Sequence, residues 1–146
     1  MEKIWHGVIV LAYKTNPLRI LLLRNTITSA ITPIAGTCQK HESKIEATLR
    51  ETYEEAGWII HKKQLIKTRL KHKFIYGPQK PERAFEKGEN QVYLLNADRL
   101  SQPISTQDTK EHKWYKPKDT LKQIDFHNLR PVLKDSLEII RENEGI

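Results

Sequence analysis

Residues 36–58 read GTCQKHESKIEATLRETYEEAGW, and this stretch is the most informative part of the chain. Ser43 followed by Glu46 matches a capping box, in which each side chain bonds to the backbone N–H of the other residue at a helix start. Gly57 provides a stop, because glycine readily adopts the left-handed conformation that often ends a helix. The pattern therefore predicts a helix from about Ser43 to Ala56. Its core-facing stripe is predicted to consist of Ile45, Leu49, Thr52 and Ala56.

The segments on both sides of this helix follow strand patterns. Trp5 to Tyr13 and Leu18 to Arg24 are rich in aliphatic and β-branched residues and are separated by turn residues, which predicts a hairpin. Thr28 to Ala35 predicts a short strand that ends early or lies at an edge, because it contains Pro33. Further predicted strands are Trp58 to Ile60, Gln64 to Tyr76, Gln91 to Asn96 and Lys113 to Tyr115, with a polar loop from Gly77 to Gly88 and a helix from Asn128 to Glu142. This order predicts an α/β sandwich with a mixed sheet.

The bulk properties of the chain limit its class and location. With 146 residues, no repeat and no flexible linker, residues 1–146 are predicted to form a single domain. The longest apolar runs are too short for a membrane span, and the first residues lack the features of a signal peptide. The chain has one cysteine, Cys38, which suits a reducing compartment. We therefore expect a cytoplasmic protein without a membrane partner, whose net charge of +7 favours polyanionic ligands.

Three glutamates in the predicted helix form an acidic cluster. Glu54 and Glu55 lie three and four residues after Glu51, so the three share one helix face, which is expected nearly opposite the core stripe. They repel one another, and the nearby helix C-terminus disfavours anions. Arg50 offsets part of this charge, but one guanidinium does not balance the whole group. Carboxylates without a neighbouring histidine or cysteine suit Mg²⁺ or Mn²⁺. The alternative is an ordinary solvated acidic face.

The same stretch resembles the Nudix box, the signature of the Nudix hydrolases. The residues that match its fixed positions are Gly36, Glu42, Arg50, Glu51, Glu54, Glu55 and Gly57. Two positions differ, because Thr52 and Trp58 stand where aliphatic residues are usual, and Ala35 stands where many members have another glycine. The resemblance implies an α/β/α sandwich and an enzyme that cleaves a diphosphate bond with Mg²⁺ as cofactor, or with Mn²⁺ in its place.

The resemblance also implies roles for individual residues. The metal ligands would be Glu51, Glu54, Glu55 and, through its backbone carbonyl, Ala35. Arg50 would orient the glutamates by ion pairs, and Glu42 would support the helix start. Catalysis would depend on Glu54, Glu51 and Arg50.

Outside the box, the functional candidates are less specific. Glu111 is the best candidate for an additional metal ligand or catalytic base, as members of the family often use a glutamate from a late loop. Its alternative is a plain surface residue. The residues predicted to contact substrate are Gly36, Tyr76 and His112. For Tyr76 the alternative is a place in the core, and for His112 it is a structural or solvated position.

The resemblance leaves several substrates open. A nucleoside triphosphate or a similar compound such as dihydroneopterin triphosphate ranks first, a dinucleoside tetraphosphate second, and the 5′ end of RNA third. The choice depends on loops outside the box. The alternative to an enzyme is a non-catalytic module that binds a nucleotide, although such a module is expected to lack a box glutamate. The sequence leaves the oligomeric state open.

Overall fold

The computed structural model describes residues 3–104 and 110–146. In these residues the fold consists of one seven-stranded sheet and three α-helices. The strands are β1 (Ile4–Lys14), β2 (Arg19–Asn25), β3 (Ile31–Thr32), β4 (Ile34–Thr37), β5 (Leu65–Ile75), β6 (Lys87–Asn96) and β7 (Lys110–Tyr115). The helices are α1 (Lys44–Ala56), α2 (Pro117–Gln123) and α3 (Arg130–Glu144), and short 3₁₀ turns lie at Lys62–Gln64, Pro81–Arg83 and His127–Leu129. No helix among the described residues has the length and apolar character that crossing a membrane requires.

The sheet is mixed, with β1 at its centre. β1 pairs in parallel with β6 from Ile4 to Tyr13, and on its other side it pairs antiparallel with β4 and then with β2. The antiparallel pairs β5–β6, β2–β3 and β2–β7 complete the sheet, so β5 forms one edge. This arrangement confirms the predicted α/β class and the predicted hairpin of the first two strands.

Helices cover both faces of the sheet, because successive side chains of a strand point to opposite faces. Ile9 of β1 lies in a buried cluster with Leu133 and Leu137 of α3. Its neighbour Val10 lies in a second buried cluster with Ala56 of α1. The result is a three-layer α/β/α sandwich.

Local signals at both ends of α1 fix the position of this helix along the chain. The Ser43 hydroxyl oxygen accepts a hydrogen bond from the Glu46 N–H at 3.1 Å, and the Glu46 carboxylate accepts one from the Ser43 N–H at 3.0 Å. Gly57 has a φ of 74° and its N–H donates to the Tyr53 carbonyl at 2.8 Å. The predicted capping box and glycine stop are both confirmed.

The prediction for the buried face of α1 was partly wrong. Ile45 and Leu49 are only half-buried, whereas the buried residues are Ala47, Thr48, Thr52, Glu55 and Ala56. The hydroxyls of Thr48 and Thr52 each donate to the carbonyl four residues earlier at 2.7 Å, so these polar side chains are satisfied within the helix. The helix is therefore rotated relative to the expected stripe, and Glu55 faces the sheet instead of lying opposite the core.

Other boundaries also differ from the predictions. Trp58 to Ile60 does not form a strand. Instead Trp58 is buried, and its indole N–H donates to the Ser101 carbonyl at 2.9 Å. Pro33 separates β3 from β4, as its lack of an N–H would suggest. The short helix α2, which begins at Pro117, was not predicted.

Candidate active site

The outer edge of β4 provides backbone groups for α1. The N–H of Ala35 donates to Oε1 of Glu55 at 3.0 Å, although Ala35 stands opposite Ile9 in the β1–β4 register. In an antiparallel pair, the N–H and C=O of one residue point to the same side, so the Ala35 carbonyl is also directed away from β1. Two residues later, the Thr37 carbonyl accepts a hydrogen bond from Nη2 of Arg50 at 3.1 Å. The edge of β4 is thus fixed against α1, with the Ala35 carbonyl on the side of the glutamates.

Gly36 leaves space for the Glu51 carboxyl group. A Cβ atom at position 36 would lie 2.2 Å from Cδ and 2.3 Å from Oε1 of Glu51. Real Cβ atoms essentially never make such short contacts, so this position requires glycine for the observed Glu51 conformation. Glycine is therefore required at position 36 for a steric reason, because any side chain there would overlap the Glu51 carboxyl group.

Arg50 gathers the carboxylates around one guanidinium. Its Nε and Nη2 bind both oxygens of Glu42 at 2.8 and 2.9 Å in a bidentate pair. Its Nη1 contacts Oε1 of Glu51 at 2.5 Å and Oε2 of Glu54 at 3.2 Å. The contact with Arg50 is the main cause that lowers the pKa of Glu42. The predicted orienting role of Arg50 has a geometric basis in these contacts.

The negative charge of the acidic cluster is only partly balanced by neighbouring cations, so the cluster suits a hard cation. Burial raises the pKa of Glu51 to about 7, and the charges of Glu55 and Glu54 add to this effect against the opposing effect of Arg50. A cation beside these groups would favour their charged forms. Among residues 3–104 and 110–146, no three carboxylate, imidazole or thiol groups already form a metal-binding arrangement. The donor set, carboxylates and one carbonyl, nevertheless fits Mg²⁺ or Mn²⁺ in its chemistry.

Strand β7 contributes two side chains to the last turn of α1. Glu55 is only 6% exposed, and its Oε2 forms an ion pair with the ammonium of Lys110. Nε2 of His112 lies 2.6 Å from the Glu55 backbone carbonyl and acts as the donor, since a carbonyl only accepts. His112, predicted to contact substrate, therefore binds the end of the helix. Sequence reasoning missed Lys110, which shares a strand face with His112 because it lies two residues away.

The structure does not bring Glu111 to the other candidate residues. Glu111 lies between Lys110 and His112 on β7, so its side chain points to the opposite face of the sheet. There it forms an ion pair with Arg24 of β2 at 2.7 Å, and both side chains are more than half exposed. This position is that of a surface residue.

We expect Glu111→Gln to change the kcat/KM of any reaction that depends on the acidic cluster of α1 by less than about twofold. The exposed pair with Arg24 stabilises the protein by only about 0–1 kcal/mol, so Tm should change little as well. Steady-state kinetics and thermal denaturation measure both effects. A loss of activity of tenfold or more, without loss of stability, would show that Glu111 reaches the reacting groups.

Tyr76 directly follows β5 and lies in a small polar and aromatic cluster next to Thr37, the last residue of β4. Its hydroxyl is 3.2 Å from Oγ1 of Thr37, and Nη1 of Arg83 donates to the same Thr37 oxygen at 2.9 Å. The Arg83 guanidinium also lies over the rings of Tyr76 and Trp5, at 5.1 and 4.8 Å. Tyr76 thus borders the site but is held by these contacts. Arg83 was not identified from the sequence, because its partners come from three separate segments.

A cavity of 250 Å³ opens on the α3 side of the sheet, next to β4. Its lining residues include Ala35, His72, Phe74, Phe126 and Asn128. His72 is 5% exposed; its Nε2 lies 3.0 Å from Oδ1 of Asn128, and its Nδ1 has no hydrogen-bond partner among the described residues. Ala35 joins the two regions, because it lines the cavity while its N–H binds Glu55. The cavity is smaller than the roughly 300–1,000 Å³ of a complete small-molecule site, so it fits one part of a ligand.

The chain matches one family model and is similar to several solved structures. The family model for the NUDIX domain matches residues 5–136. The E. coli dihydroneopterin triphosphate pyrophosphohydrolase is 17% identical, with a TM-score of 0.77 over 91% of this chain and 97% of that one. A C. elegans Ap4A hydrolase in a binary complex is 19% identical, with a TM-score of 0.76 over 94% and 98%. The NUDIX domain of Shewanella oneidensis NrtR, crystallised with ADP ribose, is 13% identical, with a TM-score of 0.72 over 96% and 90%.

The family model and the solved structures support different conclusions about the chain. A search among curated proteins gave no match. The solved structures are less than 25% identical to the chain, so they show the fold alone. The family model covers most of the chain, including α1 and β4.

Proposed function

This chain belongs to the Nudix family, and on that premise we propose that it is a Mg²⁺-dependent hydrolase that cleaves a diphosphate bond in a nucleoside triphosphate-like substrate. The observation that carries the proposal is the position of Glu51, which contacts both Arg50 and Gly36. Through this contact the acidic face of α1 lies against the edge of β4. A phosphate chain that follows this edge would meet the carboxylates.

The proposed metal ligands are Glu51, Glu54, Glu55 and the backbone carbonyl of Ala35. When bound, the ion supplies positive charge that offsets the negative charge developing on the phosphates. Arg50 keeps Glu51 and Glu54 close together through one nitrogen. The Glu54 side chain is 24% exposed and that of Glu51 is 12% exposed, so Glu54 is the better placed to accept a proton from an attacking water. Glu111 is left out of this set because it points to the opposite face.

The cavity beside Ala35 supports a substrate with an aromatic base. Phe74 and Phe126 provide apolar lining, and His72 and Asn128 provide polar groups that can bond to the edge of a ring. Because Ala35 lines the cavity and also contacts Glu55, a base in the cavity places the attached phosphates next to α1. This arrangement favours a nucleotide over inorganic polyphosphate.

The surface of β5 favours a second candidate, the 5′ end of RNA. The basic residues Lys67, Arg69, Lys71 and Lys73 are all exposed and occupy every second position of this edge strand. Lys71 and Lys73 share one face, and the register against β6 shifts between Lys67 and Lys71. Such a row suits the phosphates of a single strand. A dinucleoside tetraphosphate has no comparable observation in its favour and remains an alternative.

The proposed function is tested by turnover of a nucleotide panel with Mg²⁺ at mildly alkaline pH. The panel contains nucleoside triphosphates, dihydroneopterin triphosphate, diadenosine tetraphosphate and a 5′-triphosphorylated RNA, and release of phosphate or pyrophosphate is measured. We expect the highest kcat/KM for a triphosphate, and no turnover after chelation of the metal. Preferred turnover of the RNA, with a steep dependence on salt, would support the second candidate. Tight nucleotide binding without any turnover would indicate a non-catalytic module.

Two further parts of the proposal concern the whole chain. We propose that residues 1–146 form a single domain, which the absence of a linker-like segment in the sequence supports. A cytoplasmic location is also proposed, and its support is the single cysteine, Cys38, which is not in a disulfide.

A further inference from the structure

Both carboxylate oxygens of Glu55 already have a partner within the protein. Oε1 accepts the Ala35 N–H, and Oε2 is paired with the Lys110 ammonium. The pair is largely shielded from water, because the side chain of Glu55 is 8% exposed and that of Lys110 is 15% exposed. A buried carboxylate needs a counter-charge, and Lys110 provides one.

A divalent ion bound to Glu55 would have to lie close to where the Lys110 ammonium now lies. Two cations within a few ångströms of each other repel strongly in a site with little water. An ammonium and a metal ion therefore compete for Glu55, most directly at Oε2, where the ammonium already lies. The Lys110 side chain is a flexible four-carbon stem on the first residue of β7, so it can leave Oε2 by rotation while its backbone stays paired with Asn25.

We propose that Lys110 is an internal cation that holds Glu55 in the metal-free protein and that a divalent ion must displace from Oε2. Lys110 is thus a positioning residue that acts through Glu55. It lowers the affinity for metal and stabilises the protein when no metal is bound. The proposal rests on the proposed function, because it takes Glu55 as a metal ligand.

The test is the affinity for Mn²⁺ alone, measured by isothermal titration calorimetry on the complete chain without nucleotide. Lys110→Met should bind Mn²⁺ about tenfold more tightly than the wild type, because a competing unit charge has been removed. The matched control is Lys113→Met, which removes the same charge from the same strand. Lys113 points to the opposite face, where its ammonium lies over the Tyr115 ring at 5.2 Å. The control should bind Mn²⁺ with nearly the affinity of the wild type.

Stability provides a second readout that does not depend on activity. In metal-free buffer Lys110→Met should lower Tm by about 5 °C or more, since it leaves a buried carboxylate without its counter-charge. Saturating Mn²⁺ should restore most of this loss. If the methionine variant does not fold, Lys110→Gln removes the charge but keeps a hydrogen-bond donor, and the same increase in affinity is expected.

The outcomes separate this proposal from the proposed function. Unchanged or weaker Mn²⁺ binding by the Lys110 variants, relative to the Lys113 control, would overturn the role of Lys110 and leave the enzyme proposal intact. Failure of the wild type to bind Mn²⁺ at millimolar concentration would instead contradict the metal site itself. Retention of the metal-free Tm by Lys110→Met would also count against Lys110, because the ion pair would then not stabilise the protein.

Discussion

Glu54→Gln is expected to lower kcat by about two orders of magnitude or more, while Tm stays unchanged or rises. The amide keeps the shape of the side chain but loses the charge that a metal ion and an attacking water would use. Stability should not suffer, because the change removes one of three negative charges within a single helical turn. Loss of activity without loss of stability is the signature of a functional acid.

Steady-state kinetics with Mg²⁺, together with thermal denaturation without metal, measure the two effects separately. The matched control is Glu46→Gln on the same helix. Glu46 accepts the Ser43 N–H in the capping box and does not contact Arg50, and glutamine can also serve at this capping position. The control should therefore keep its activity. A Glu54→Gln variant with full activity would remove α1 from the mechanism.

Gly36→Ala is expected to reduce kcat by about a hundredfold with only a small change in Tm. The new Cβ would overlap the Glu51 carboxyl group, whose nearest atom would lie 2.2 Å away. The atoms in conflict belong to the flexible end of a side chain, so Glu51 can move and relieve the overlap without a shift of β4. The displaced carboxylate would leave its contact with Arg50 and its place in the proposed metal site. The expected loss resembles that from removing one catalytic or metal-binding group.

A double-mutant cycle identifies the route of this effect. In the Glu51→Ala background the overlapping carboxyl group is absent, so adding Gly36→Ala should cause little further loss of kcat. Losses that multiply in the double variant would show that Gly36 acts independently of Glu51, for example through direct contact with the substrate. Thermal denaturation of all four proteins checks that the cycle compares folded enzymes.

The features of α1 that the sequence predicted correctly are those set by local interactions. The capping box and the stop at Gly57 involve residues within four positions of each other, so their pattern determines both ends of α1. The close spacing of Glu51 and Glu54 likewise brings both carboxylates within reach of Arg50. These features do not depend on how the rest of the chain folds.

The rotation of α1 about its axis was not predicted, because it depends on tertiary contacts. A stripe of Ile45, Leu49, Thr52 and Ala56 was expected to face the sheet. Thr52 and Ala56 are buried as expected, but Thr48 and Glu55 are buried while Leu49 is only half-buried. The buried position of Glu55 is then possible because distant groups meet its charge. A pattern of apolar spacing does not contain that information.

The contacts of β7 show a related difficulty. The choice of Glu111 and His112 as candidate residues depended on residue type, without knowledge of which side chains face α1. In a strand, a change of one position reverses the face. The register of β7 against β2, in which Glu111 stands opposite Arg24, decides which β7 side chains face α1. This register joins residues that are far apart in the chain, so the local sequence pattern does not contain it.

The parallel pairing of β1 with β6 has a consequence for how the protein is made. Tyr13 stands opposite Asn96, so the first strand of the chain completes its ladder only with a segment roughly 80 residues later. At a synthesis rate of about 5–20 residues per second, the apolar N-terminal strand waits several seconds on the ribosome for this neighbour. During that time it has an unpaired edge that other nascent chains can join. The order of the strands therefore exposes the β1 edge to other chains for longer than a hairpin partner would.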